Sequence, residues 1–146
     1  MKQTVASSQG NNNSKVRTVG VVGYDGVELL DLTGPLDVFA MANALLLAAG
    51  IVDEVAYKMA VIAKKEGVVT SSSGLRIVVD QAYVDVSDGI DTLVIPGSPS
   101  VDAVLADPQL RDWIRLMAPR VRRIVSVCTG AFLLADAGLL DGHCAH

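Results

Sequence analysis

Apolar residues fall into short runs along this chain, and the runs are of two kinds. Val16 to Gly23 (VRTVGVVG), Val55 to Ala63, Asp91 to Ile95 and Val121 to Val127 are rich in Val and Ile and bounded by Gly, Pro or polar residues, which predicts buried strands. Helical spacing fills the stretches between. A helix is predicted to begin near Thr33, with Pro35 in its first turn, Leu36, Phe39, Ala40 and Leu47 on one face, and Gly50 as its stop. Ser98 is placed to cap a helix that starts at Pro99 and restarts at Asp107-Pro108. Its second half sets Leu110, Trp113, Ile114 and Met117 on one side, which makes Trp113 a core residue, and Pro119 closes it. A last apolar helix runs from Thr129 to Leu140. Val68 to Val79 (VVTSSSGLRIVV) reads instead as a small hairpin turning through Ser71 to Gly74. Strands alternating with helices predict an α/β fold: a doubly wound, mostly parallel sheet covered on both faces.

Composition narrows the reading. The 146 residues suit one domain, and 51% apolar residues with 19% charged ones suit a sheet buried on both sides. A net charge of −4 gives no electrostatic reason for nucleic-acid contact by this segment or for attraction to an anionic membrane. The opening MKQTVASSQGNNNSK, residues 1–15, reads as a disordered polar tail without the apolar stretch of a signal peptide. The longest greasy stretch, Val38 to Val52, is interrupted by Asn43 and Gly50 and falls short of the roughly 20 residues of a membrane span. Cys128 and Cys144 are too few for a disulfide framework, and no metal-ligand spacing is present. The expectation is a cytoplasmic protein without metal or other cofactor. Arg111, Arg115, Arg120, Arg122 and Arg123 crowd one stretch; a solvated helix face explains them more simply than a phosphate surface.

Candidate chemistry centres on Ser126-Val127-Cys128-Thr129-Gly130, where a strand meets a helix. Such a turn lifts its central side chain to the carboxyl edge of a parallel sheet, and the helix N-terminus beneath favours a thiolate. Small residues on either side, Ser126 and Gly130, are what a crowded turn tolerates. A buried, inert cysteine is the competing explanation. Two further segments reach the same edge: Pro96-Gly97-Ser98 at the end of a neighbouring strand, and Asp31 before the first helix. Asp31 suits either acid–base work or plain helix capping.

Taken together, Leu30 to Phe39 (LDLTGPLDVF), Val94 to Gly97 (VIPG) and Ser126 to Gly142 (SVCTGAFLLADAGLLDG) resemble the PfpI-type superfamily of class I glutamine amidotransferase-like domains. Within it they are most similar to the N-terminal domain of AraC-type transcriptional regulators, with isonitrile hydratases second. The resemblance implies a flavodoxin-like amidotransferase fold over about Val16 to His146. It implies that Cys128 is the elbow cysteine and that Asp31 is the acidic residue whose carboxyl group contacts the sulfur. Ser98 and Thr129 then supply oxyanion backbone N–H groups, with Gly97 and Gly130 allowing the close approach. It also implies a small-molecule effector or substrate and a homodimer. Two functions follow as expectations: the sensing and dimerising part of a regulator whose DNA-binding region is absent from this chain, or a cysteine-dependent hydrolase or hydratase. The family's final motif continues into a His-Trp pair that this chain stops short of, and neither His143 nor His146 takes that role by position. Since the sequence stops after a helix, residues 16–146 are expected to be an incomplete domain with an exposed apolar edge and a tendency to aggregate.

Overall fold

The computed structural model describes residues 15–86 and 89–143, so most of the polar tail, Cys144 and His146 lie outside the described residues. Five strands form one parallel sheet: β1 (Arg17–Val22), β2 (Tyr57–Ala63), β5 (Gln81–Ala82), β6 (Ile90–Ile95) and β7 (Arg123–Ser126), in the order β5-β2-β1-β6-β7. The expected hairpin is a separate antiparallel pair, β3 (Gly67–Thr70) with β4 (Arg76–Val79). The helices are α1 (Leu29–Ala48), α2 (Val101–Leu105), α3 (Pro108–Met117) and α4 (Gly130–Asp136). This is the α/β architecture that the alternating runs imply. The two-residue β5 has no counterpart in the sequence reading, because so short a pairing leaves no periodic signal.

Consecutive strand residues point to opposite faces, so two cores form. Val22, Ile62, Leu93 and Ile95 pack on one face against Leu110, Ile114 and Met117 of α3 and Leu133 and Leu134 of α4. Val19, Val21, Val61 and Val94 pack on the other against Leu32 of α1. The helix after β1 and the helices after β6 therefore leave on opposite faces, which places the topological switch point between β1 and β6.

Helix α1 departs from the expected bounds. It starts at Leu29, not near Thr33, because Leu32 N–H already donates to the Glu28 carbonyl at 3.2 Å. Pro35 lies inside the helix, and Asp31 belongs to its first turn. The Thr33 hydroxyl donates to the Leu29 carbonyl at 3.0 Å. Asn43 is an anchor: its side chain donates to the Tyr57 carbonyl at 2.8 Å and accepts from Ala56 N–H and Tyr57 N–H at 3.0 and 2.9 Å. At 20 residues, α1 is also long and apolar enough to cross a membrane by length and composition, which the reading of Val38 to Val52 did not anticipate. Leu30, Val38, Met41 and Leu45 leave its outer side exposed.

The arginines divide. Arg115 donates to the Ala137 and Asp136 carbonyls at 2.9 and 3.1 Å, Arg111 pairs with Asp136 at 3.5 Å, and Arg122 makes two 2.6 Å bonds to Asp91. These three hold α4 and the sheet edge.

Candidate active site

The elbow is built by backbone geometry. Cys128 has φ of 53°, the left-handed region, and is the one non-glycine residue with positive φ among the described residues. For an L-residue this conformation costs about 1–2 kcal/mol, and it persists only where neighbours enforce it. Two neighbours do so here. Val127 N–H donates to the Ile95 carbonyl at 3.0 Å, and Gly130 N–H donates back to the Val127 carbonyl at 2.9 Å. Gly130 lies against the β6 backbone so closely that an added Cβ would collide with the Ile95 carbonyl oxygen. The outcome is an exposed thiol at the carboxyl edge of the sheet, with no hydrogen-bond partner among the described residues. The buried alternative is thereby excluded.

A second turn faces it. The Pro96–Gly97 peptide is held on both sides, by the Tyr24 hydroxyl donating to the Pro96 carbonyl at 2.7 Å and by Gly97 N–H donating to Asp31 Oδ2 at 3.1 Å. The Gly97–Ser98 peptide is held likewise: Glu28 N–H donates to the Gly97 carbonyl at 2.8 Å, and Ser98 N–H donates to Thr129 Oγ1 at 2.9 Å. Thr129 Oγ1 in turn donates to the Ser98 carbonyl at 3.0 Å. A Cβ on Gly97 would stand 2.8 Å from Thr129 N and 3.0 Å from Asp31 Oδ2, so only glycine fits between acid and elbow. Tyr24 was not singled out by the sequence reading, since its bond to Pro96 spans 72 positions. Burial, reinforced by Asp31 and then Cys128, raises its phenol above the ordinary value and keeps it a donor.

The structure thus brings Cys128, Asp31, Gly97, Ser98, Thr129 and Gly130 to one edge, with three differences from the expected roles. Asp31 makes no hydrogen bond to the sulfur; its carboxyl group accepts from Gly97 N–H instead. Ser98 N–H is occupied by Thr129 Oγ1, whereas Thr129 N–H has no acceptor among the described residues. Ser98 caps no helix, because its hydroxyl donates to the Gly26 carbonyl at 2.8 Å and accepts from Ser100 N–H at 3.1 Å. His143 is exposed and closes a turn onto Leu140. No cluster of metal-ligating side chains occurs among the described residues.

The sequence profile of the DJ-1/PfpI family matches residues 17–145. The chain belongs to the DJ-1/PfpI family. Among curated relatives, an uncharacterized protein of Streptomyces lividans is 35% identical over 85% of this chain and 82% of its own length. The isonitrile hydratase of Pseudomonas putida is 33% identical over 85% of this chain and 49% of its own length. A helix-turn-helix-type transcriptional regulator of Mycobacterium tuberculosis is 51% identical over 53 residues, which is 36% of this chain and 20% of the regulator. A DJ-1/PfpI-type (ThiJ/PfpI) protein of Pseudomonas syringae shares the fold with a TM-score of 0.73 at 24% identity, over 95% of this chain and 53% of its own. The chain therefore spans about half of the hydratase and a fifth of the regulator.

Proposed function

We propose that this DJ-1/PfpI domain is a cysteine-dependent hydrolase or hydratase acting on a small molecule with an electrophilic carbon. The observation that carries the reading is Cys128, held strained and exposed beside Asp31 and the Gly97 turn. Likeness to an isonitrile hydratase at 33% identity across 85% of the chain supports the enzymatic reading. In this reaction the Cys128 thiolate adds to the carbon, forming a C–S bond, while the electron pair displaced from the multiple bond takes a proton from Asp31 or from water. A water molecule then adds to that carbon, losing its proton to the Asp31 carboxylate. The electron pair displaced by that addition takes the new hydroxyl's proton as the C–S bond breaks, which returns Cys128 to the thiolate and leaves the hydrated product. Thr129 N–H is the donor open to charge developing at the reacting group, and Ser98 N–H joins it only after the Thr129 side chain rotates away.

The test is turnover of an alkyl isonitrile, followed by loss of its infrared stretch. Wild type should consume it and Cys128→Ala should not; an undiminished rate in Cys128→Ala overturns the reading. The second reading, the sensing half of a regulator, rests on the 53-residue match at 51% identity. It predicts an AraC-type DNA-binding region in the parent gene, and its absence there refutes that alternative. We further place the protein in the cytoplasm as a homodimer joined through the exposed Leu30, Val38, Met41 and Leu45 side of α1. A monomer by sedimentation equilibrium refutes the dimer.

A further inference from the structure

A cleft of about 530 Å³ opens at the switch point between β1 and β6, and Cys128 does not line it. Its walls come from the β1 turn at Tyr24 and Gly26, the end of β2 at Lys64, and Tyr83, with Ser98 and Ser100 leading into α2. Tyr24 and Ser98 are shared with the elbow site, so the cleft and the thiol share one wall. We infer that this cleft is a separate binding site for a compact, uncharged aromatic molecule carrying one oxygen acceptor, such as an alcohol or carbonyl.

Three observations lead there. First, volume and place fit: ligand sites are typically about 300–1,000 Å³ and form where strand order reverses in open α/β sheets. Second, the partly or fully buried polar side chains other than Tyr83 are committed within the protein, and Lys65, Glu66 and Ser100 are exposed to water. The Tyr24 hydroxyl is spent on Pro96, Ser98 Oγ on Gly26 and Ser100, and Asp25 Oδ1 on Thr70 N–H. Lys64 pairs with Asp107 at 3.4 Å across the mouth. What remains is apolar surface from Val69, Val104 and Leu110, together with the two tyrosine rings. Third, the Tyr83 hydroxyl has no partner among the described residues. Burial, then Asp107, then Tyr24 raise its phenol above the ordinary value, so it stays protonated as a donor awaiting an acceptor. At the mouth, Lys64 and Lys65 stand with Asp25, Glu66 and Asp107, and the mixed signs favour neither a cation nor an anion.

Trp113 is the sole tryptophan and stacks on Tyr83 with ring centroids 4.3 Å apart, so its fluorescence reports on the cleft. The probes are benzyl alcohol, benzoate and benzylammonium, of one shape and three charges. Benzyl alcohol should change Trp113 emission saturably in wild type and equally in Cys128→Ala, with both ions about tenfold weaker or more. Ala103→Phe, which fills the cleft from an exposed wall position, should abolish the response, and Ser100→Phe serves if that variant fails to fold. Tyr83→Phe should weaken benzyl alcohol several-fold while leaving toluene unchanged. Equal affinity for the three probes, an unchanged titration in the filled variants, or loss of binding in Cys128→Ala overturns the inference. Because Cys128→Ala abolishes the proposed chemistry but not this binding, failure of one reading is distinguishable from failure of the other.

Discussion

Replacing Cys128 by Gly and by Ala separates the strain of the elbow from its chemistry. Both variants remove the thiol, and at this exposed position they differ by one methyl group with little burial attached. At φ of 53° the alanine retains the left-handed penalty of about 1–2 kcal/mol, whereas glycine is free of it. Glycine loses roughly 0.5–1 kcal/mol more backbone entropy on folding, which offsets part of the gain. The net expectation is that Cys128→Gly is more stable than Cys128→Ala by about 0.5–1 kcal/mol. For a domain of this size that is a rise in Tm of roughly 1–4 °C. Urea titration and thermal melts followed by circular dichroism, with equal m-values in the two variants, give the comparison. A Cys128→Ala variant as stable as Cys128→Gly, or more so, refutes the reasoning that the elbow stores backbone strain.

Three other substitutions probe the scaffold. Gly130→Ala forces a Cβ into the Ile95 carbonyl, so the first turn of α4 must move away from β6; a loss of about 3 kcal/mol or more is expected by urea titration. Asn43→Ala removes three hydrogen bonds that tie α1 to the start of β2 and strands the half-buried Ala56 and Tyr57 N–H groups, at a cost of about 2–4 kcal/mol by the same measure. Asp91 is held below its ordinary carboxylate value chiefly by its hydrogen bonds to Arg122, so its contribution is present above that ordinary value and is lost as pH falls through the lowered one. Melting temperature against pH should therefore fall less steeply in the acid range for Asp91→Asn than for wild type.

The fold was legible wherever a signal is local. Valine-rich runs marked the strands, and Asp107-Pro108 marked the start of α3, where the Asp107 side chain does accept from Gln109 N–H at 2.9 Å. Trp113 lies in the core as its spacing implied. The start of α1 was misread because Pro35 looks like a first-turn proline, while the helix tolerates it one turn further in. The members of the site were legible from three motifs, but their bonding was not. Ser98 Oγ reaches Gly26 and Tyr24 reaches Pro96, each across 72 positions, and no spacing rule reports such pairings. Asn43 looked like a break in a greasy stretch for the same reason: its partners are on another element.

The central claim is that Cys128 is a nucleophile toward an electrophilic carbon. Mass spectrometry of the protein quenched during reaction with an alkyl isonitrile, followed by peptide mapping, tests it most directly. The account predicts a transient adduct of the isonitrile's mass on the peptide carrying Cys128, which disappears as the hydrated product accumulates. Product formed without an adduct at Cys128, or formed as fast by Cys128→Ala, would contradict it.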